Sequence, residues 1–156
     1  MACWVPWIAG THASVSKFPH AREMASIDKL AIRGIRAFTA EREQTIEFGS
    51  PLTMIVGANG CGKTTIIECL KYATTGILPP NSNKGQSFVH DPKLAGSSET
   101  KANVKLRVTD RTGNPIVVCR SLKLTQNKST MKFQQLDGVV KTVDPRGKKV
   151  SCCSAS

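Results

Sequence analysis

Residues 57–64 read Gly57-Ala58-Asn59-Gly60-Cys61-Gly62-Lys63-Thr64 and match the pattern G-x-x-x-x-G-K-[ST]. Residues 51–56, which precede them, are mostly apolar and predict a strand, whereas residues 64–73 repeat apolar side chains at helical spacing. Gly76 predicts the end of that helix. A strand, a glycine-rich loop and a helix in this order are typical of a phosphate-binding loop.

The residue types of this loop suit the chemistry of a nucleoside triphosphate with Mg²⁺. Glycines let backbone N–H groups approach phosphate oxygens closely, and the start of the helix adds the positive end of its dipole. The Lys63 ammonium is expected to reach the β- and γ-phosphates, and the Thr64 hydroxyl to ligate Mg²⁺. The sequence therefore predicts nucleotide binding, rather than a glycine turn that only caps a core helix.

The composition is that of a globular chain with an uneven charge. The chain has 156 residues, 40% of them hydrophobic, which is enough for one domain with a core. Residues 77–156 carry fourteen basic and five acidic side chains, so most of the net charge of +11 lies beyond the motif. This surplus predicts affinity for a polyanion such as DNA, but a solvated sheet face is the simpler alternative because aromatic residues are scarce there. The basic residues in question include Lys101, Lys105, Arg107, Arg111, Arg120, Lys123, Lys128, Lys132, Lys141, Arg146, Lys148 and Lys149.

The cysteines and the amino terminus restrict the compartment only weakly. Six cysteines without metal-binding or disulfide-like spacing indicate a reducing compartment, so we interpret them as structural or incidental. No apolar run approaches the ~20 residues of a membrane span, so no membrane partner is expected. Residues 1–23 do not resemble a secretory signal, although a transit peptide is an alternative.

The order of predicted elements separates this chain from most proteins with the same loop motif. GTPases and small kinases continue as strand–helix repeats with a parallel sheet, but no second crossover helix is apparent here. We predict instead an α/β fold in which a phosphate-loop strand and helix are combined with an antiparallel β-meander, cationic on its outer face, with the nucleotide between a core sheet and this lobe. The predicted strands lie at residues 27–35, 44–48, 51–56, 101–108, 116–124, 131–136 and 139–143.

Hydrolysis of a nucleotide needs a further acidic residue that positions Mg²⁺ and water, usually at the end of an apolar strand. The apolar residues 116–119 are followed by Arg120 rather than by an acid. We therefore expect this chain to bind nucleotide without being competent to hydrolyse it alone.

Residues 24–150 resemble the amino-terminal lobe of the Rad-fifty family, the SMC-related ABC-type ATPases of the Mre-eleven double-strand-break repair complex. The resemblance is carried by residues 32–36, the run from Pro51 to Lys71, the block Phe88-Val89-His90-Asp91-Pro92-Lys93 and Thr125-Gln126. It implies an ATPase head that binds ATP and Mg²⁺, dimerises with a second head, and engages DNA with an Mre-eleven-type nuclease subunit in the nucleus.

The resemblance also implies roles for individual residues. Lys63 would be the catalytic residue, Thr64 the metal ligand, Asn59 would order the loop, and Arg36 would help to hold the nucleotide. Ala37 replaces the serine usual after that arginine, so a hydroxyl contact is not expected there. The implied cofactor-binding set is Arg36, Asn59, Gly60, Cys61, Gly62, Lys63, Thr64 and Thr65.

The chain departs from the family pattern at both ends. Residues 1–23 have no family counterpart, and residues 151–156 form a divergent tail. The glutamine loop, the ABC signature, the acidic second motif and the coiled coils with their zinc-binding apex are not in this sequence, so we predict an incomplete head in which zinc has no site. Two alternatives to an ATPase lobe are a non-enzymatic form that docks on DNA or a partner, and the disfavoured small-molecule kinase or GTPase.

Overall fold

The computed structural model describes residues 25–127, 130–143 and 149–154. The predicted amino-terminal extension at residues 1–23 lies outside this range, as do the last two residues of the predicted tail. The elements are β1 (Ser26–Arg33), β2 (Gln44–Glu47), α1 (Lys63–Thr75), β3 (Glu99–Thr109), β4 (Pro115–Gln126), β5 (Met131–Gln135), β6 (Gly138–Val143) and β7 (Lys149–Ser154). No helix among the described residues is long and apolar enough to cross a membrane.

All seven strands belong to one sheet in which every pairing is antiparallel. The order is β2-β1-β3-β4-β6-β7, and β5 also pairs with β4. An antiparallel sheet with one helix confirms the predicted fold class of an amino-terminal P-loop lobe. It also agrees with the predicted lack of a second crossover helix within the described residues.

The sheet differs from the predicted meander in two ways. First, β5 and β6 do not pair with each other, because both lie along the same edge of the long strand β4. β5 takes the part from Leu122 to Gln126, and β6 takes the part from Ile116 to Cys119. Second, β1 pairs with β3 over most of its length, which joins the two halves of the chain into one sheet instead of a core sheet and a separate lobe.

The core lies between one face of this sheet and α1. Alternate residues of a strand point to the same face, and the apolar alternation of β1 matches that of β3 in register, with Leu30 opposite Leu106 and Ile32 opposite Val104. The buried residues of α1 complete the core, and each fully buried apolar side chain stabilises the fold by about 1.5–3 kcal/mol. The core residues of the sheet and helix are Leu30, Ile32, Ala102, Val104, Leu106, Leu122, Leu124, Ile66, Cys69, Tyr72 and Ala73.

The carboxyl end of α1 is closed by a glycine and by an arginine of the sheet. Gly76 has a φ of 74° and its N–H donates to the Tyr72 carbonyl at 2.8 Å. The Nε–H of Arg120 donates to the Ala73 carbonyl at 3.1 Å, and its guanidinium carbon lies 5.8 Å from the centre of the Tyr72 ring. Arg120 therefore faces the helix, and the prediction that it belongs to the outer cationic face is wrong.

The predicted strand at residues 51–56 is not formed. Leu52, Met54 and Val56 are 75%, 74% and 74% exposed, while Thr53 and Ile55 between them are partly buried. The alternation suits a strand, but no described strand pairs with this segment, and a strand exists only through its neighbours. The phosphate loop is consequently attached to a segment that lies outside the sheet.

Candidate nucleotide-binding site

The backbone of the phosphate loop requires its glycines. Gly60 and Gly62 have φ angles of +85° and +88°, a region that other residues rarely adopt. Gly62 also lies against an aromatic ring, because a Cβ at this position would be 3.2 Å from Cε2 of Phe38. Phe38, which follows β1, therefore packs against the glycine at which the phosphate loop enters α1.

Lys63 lies against the backbone of this loop. Its Nζ donates to the carbonyl oxygens of Gly57 at 2.7 Å and Ala58 at 2.8 Å. The positive charge is therefore held inside the arc formed by residues 57–62, where the phosphates of a nucleotide are expected.

The start of α1 adds donors directed at the same place. The first bond of the helix runs from the Ile66 N–H to the Gly62 carbonyl at 3.1 Å, so the preceding N–H groups of the helix have no acceptor within it. The first turn, which is described completely, contains no acidic side chain that could occupy this end. Such a helix start is suited to an anion.

The two threonines of this turn face different surroundings. The Thr64 side chain is exposed and can serve as an oxygen ligand for Mg²⁺, a cation that prefers hydroxyl, phosphate and water oxygens. Thr65 is only 5% exposed and packs toward the core. The residues of the site are thus compatible with a Mg²⁺-bound polyphosphate, which the side chains of Thr64 and Lys63 could hold.

Arg36 follows β1 and reaches the flank of α1. Its Nη2 donates to Oε1 of Glu68 at 3.2 Å, and its Nη1 lies 2.8 Å from Oε2 in an ion pair that does not have hydrogen-bond geometry. The two side chains are 32% and 21% exposed. Arg36 is therefore near the predicted site, but its described partner is a carboxylate of the nucleotide-binding helix.

The backbone of Arg36 is fixed by a loop that is distant in sequence. Its φ is 45°, its N–H donates to the Phe88 carbonyl at 3.0 Å, and its carbonyl accepts a hydrogen bond from Nδ1 of His90. The guanidinium carbon also lies 6.0 Å from the centre of the Phe88 ring. The His90 bond requires the Nδ1–H tautomer, because a carbonyl can only accept.

The predicted site residues are partly brought together. The loop residues and Lys63 form one continuous surface with Thr64, and Asn59 and Cys61 are exposed on it. Sequence reasoning missed Phe38 and Glu68, which fix Gly62 and Arg36. The position of Glu68, one helical turn after Thr64, was the available signal for its proximity to the site.

Five basic side chains on the outer face of the sheet each have an acidic neighbour. Lys29, Lys105 and Lys123 form ion pairs at 2.6 Å with Glu47, Glu43 and Glu99, respectively. Arg107 lies 3.6 Å from Asp28, and Lys101 lies 3.6 Å from Glu99. We call these five basic residues, Lys29, Lys101, Lys105, Arg107 and Lys123, the basic sheet face.

Sequence comparisons define the family of this fold and loop. A family profile described as "AAA domain" matches residues 29–152, which is most of the chain. The chain belongs to this family. The AAA domain here is similar to "DNA repair protein RAD50" of Arabidopsis thaliana, with 50% identity over 131 residues, and of Saccharomyces cerevisiae, with 50% identity over 133 residues.

These alignments cover 84% and 85% of this chain but 10% of each relative. The chain therefore spans about a tenth of the length of the RAD50 proteins that it matches. The bacterial "Chromosome partition protein Smc" of Halothermothrix orenii is more distant, with 36% identity over 83 residues, or 53% of this chain and 7% of the relative. The resemblance to the amino-terminal lobe of the Rad-fifty family is confirmed. The chain thus belongs to an ATPase family, and the family members to which it is similar include proteins named as DNA repair proteins.

Proposed function

We propose that this chain is the ATP-binding lobe of a DNA double-strand-break repair ATPase. The observation that carries the proposal is the joint placement of Lys63 and the acid-free start of α1 around residues 57–62. The 50% sequence identity to RAD50 proteins supports DNA repair as the process in which the lobe acts.

In this proposal the chain binds ATP with Mg²⁺ and supplies one part of a composite catalytic site. The phosphates lie against Lys63 and the loop, and the Thr64 hydroxyl ligates the metal. The other part comes from a second ATPase head, so the lobe alone does not hydrolyse ATP at a useful rate. Its further partners are DNA ends and an Mre-eleven-type nuclease subunit, in the nucleus.

The test is nucleotide-dependent stabilisation of the 156-residue chain. Mg-ATP at a hundredfold excess over its Kd should stabilise the folded state by about 2.7 kcal/mol, and we expect Lys63→Ala to remove that stabilisation. Lys71→Ala, at an exposed position of the same helix, is the matched control and should retain it. A thermal shift that persists unchanged in Lys63→Ala would contradict ATP binding at this loop.

The alternative function is non-enzymatic docking on DNA through the basic sheet face. It is supported by the five basic residues that share this face, although each has an acidic neighbour that reduces the local charge. Titration of duplex DNA at several salt concentrations tests it, because log K should fall linearly with log[salt] if phosphates are bound. Replacing Lys101 and Lys123 by Ala should reduce that slope by about two, whereas an unchanged slope would exclude this face.

A further inference from the structure

We propose that Glu68 is a positioning residue that holds the Arg36 guanidinium against the side of α1, about one turn from Thr64, where it can contact a bound nucleotide. The inference rests on the proposed function, since it assigns a task within the ATP site. The inference extends the proposed function by naming an acidic residue, Glu68, whose removal weakens the binding of the anionic nucleotide.

The helix places Glu68 at the right height. Glu68 follows Thr64 by four residues, so both lie on the same side of α1, about one turn or about 6 Å apart along the axis. A guanidinium that contacts the Glu68 carboxylate at 2.8–3.2 Å is therefore on the same side of α1 as the Thr64 hydroxyl, about one helical turn from it along the axis.

The main chain of Arg36 does not need Glu68. Its position is set by the Phe88 and His90 hydrogen bonds and by the isolated bridge between Ile35 and Val89. What these contacts leave undetermined is the direction of a long side chain, whose freedom costs up to about 2 kcal/mol to restrict. The carboxylate of Glu68 supplies that restriction, together with the Phe88 ring.

The pairing also leaves the guanidinium able to bind something else. Guanidinium has five N–H donors, and Glu68 contacts only the two terminal nitrogens, each of which carries a second hydrogen. At 32% exposure the Arg36 side chain is still accessible from solvent. Remaining donors can therefore meet an anion without breaking the ion pair.

Charge alone predicts the opposite effect of Glu68. A carboxylate one turn from a polyphosphate repels it, so neutralising Glu68 would tighten Mg-ATP binding if only charge mattered. If Glu68 positions Arg36, the same change weakens binding, but only while Arg36 is present. The sign of the effect thus separates the two roles.

The experiment is a double-mutant cycle on the 156-residue chain, with Kd for Mg-ATP measured by calorimetry. We expect Glu68→Gln to raise Kd about three- to tenfold, because the ion pair is lost and the remaining hydrogen bond is to a neutral oxygen instead of a charged one. In an Arg36→Ala background the same change should leave Kd equal or lower. Glu47→Gln, which breaks the exposed pair with Lys29, is the control and should leave Kd unchanged.

Three outcomes would overturn the inference. The first is an equal or lower Kd for Glu68→Gln in the presence of Arg36, and the second is an equal rise in Kd in both backgrounds. The third is full loss of binding in Glu68→Asp, which keeps the charge and should have a Kd between those of the unmodified chain and Glu68→Gln. Thermal unfolding without nucleotide establishes whether each variant is folded. If Glu68→Gln does not fold, Glu68→Asp replaces it as the test variant. An unmodified chain that fails to bind Mg-ATP overturns the proposed function as well.

Discussion

The two cysteines of the nucleotide-binding region occupy opposite environments. Cys61 is exposed on the phosphate loop, whereas Cys69 is fully buried on the core-facing side of α1. Burial, followed by the nearby charge of Glu68, raises the pKa of the Cys69 thiol from 9.0 to about 12. The thiolate fraction of Cys69 is thereby lowered about a thousandfold at neutral pH, and a thiolate is the reactive form.

Alkylation should therefore distinguish these thiols in the folded chain. With iodoacetamide at pH 8 we expect modification of Cys61 and essentially none of Cys69, as measured by peptide mass spectrometry. Mg-ATP should slow the reaction at Cys61, because bound phosphates cover the loop, and this protection should be lost in Lys63→Ala. Comparable labelling of both cysteines would contradict the described burial.

For single residues, the sequence predicted which residues belong to the candidate site better than it predicted which residues contact them. The motif located Lys63 and Thr64 because its pattern is local. The partner of Arg36 could not be read in the same way, because Glu68 and His90 approach it only through folding over distances of tens of residues. The buried position of Thr65 likewise depends on which side of α1 faces the sheet.

Among the elements, α1 depends on the sheet for its carboxyl end. No basic residue lies in its last turn, and Arg120 of β4 supplies the cation instead. A cation at this end of a helix dipole is favourable, and the Tyr72 ring adds a cation–π contact.

We expect Arg120→Met to lower the free energy of unfolding by about 1–2 kcal/mol, because it removes both interactions while keeping the aliphatic stem. Urea unfolding monitored by circular dichroism gives the value. Arg107→Met on the opposite face is the matched control, and its exposed ion pair is worth less than about 1 kcal/mol. Equal losses in the two variants would show that Arg120 has no special role in closing the helix.

The elements themselves were predictable where their pattern is complete within the chain. Strict alternation in β3 and the glycine after α1 gave both elements to within a few residues. Residues 51–56 have an equally strong strand pattern, yet they are not in the sheet, because propensity does not supply the neighbouring strands. The division of β4 between β5 and β6 was also beyond sequence reasoning, since it depends on register over a long strand.

The molecule as a whole exposes an apolar segment beside the nucleotide site. Leu52, Met54 and Val56 lie there, and Ile67 of α1 is 63% exposed. Exposed large apolar side chains promote association where they cluster. These exposed apolar side chains are therefore expected to favour self-association.

We expect Met54→Lys to reduce self-association, observed by sedimentation velocity, while changing the free energy of unfolding by no more than about 0.5 kcal/mol. The reason is that this side chain contributes little to the core at 74% exposure. Leu106→Ala is the contrasting variant, because its 1% exposed side chain should cost about 2–5 kcal/mol. A large loss of stability in Met54→Lys would place the segment inside the folded core.

The pairing of β1 with β3 has a consequence for the order in which the chain acquires its fold. β3 and β4 are joined by a tight turn, with Thr109 opposite Pro115, but β1 meets β3 only by closing a loop of residues 34–98. Such closure is slow compared with hairpin formation. During synthesis we expect β1 to pair with β2 before β3 has left the ribosome. Because the phosphate loop and α1 lie inside the closed interval, we expect the packing of α1 on the sheet, and with it the proposed nucleotide site, to be completed only after this long-range pairing.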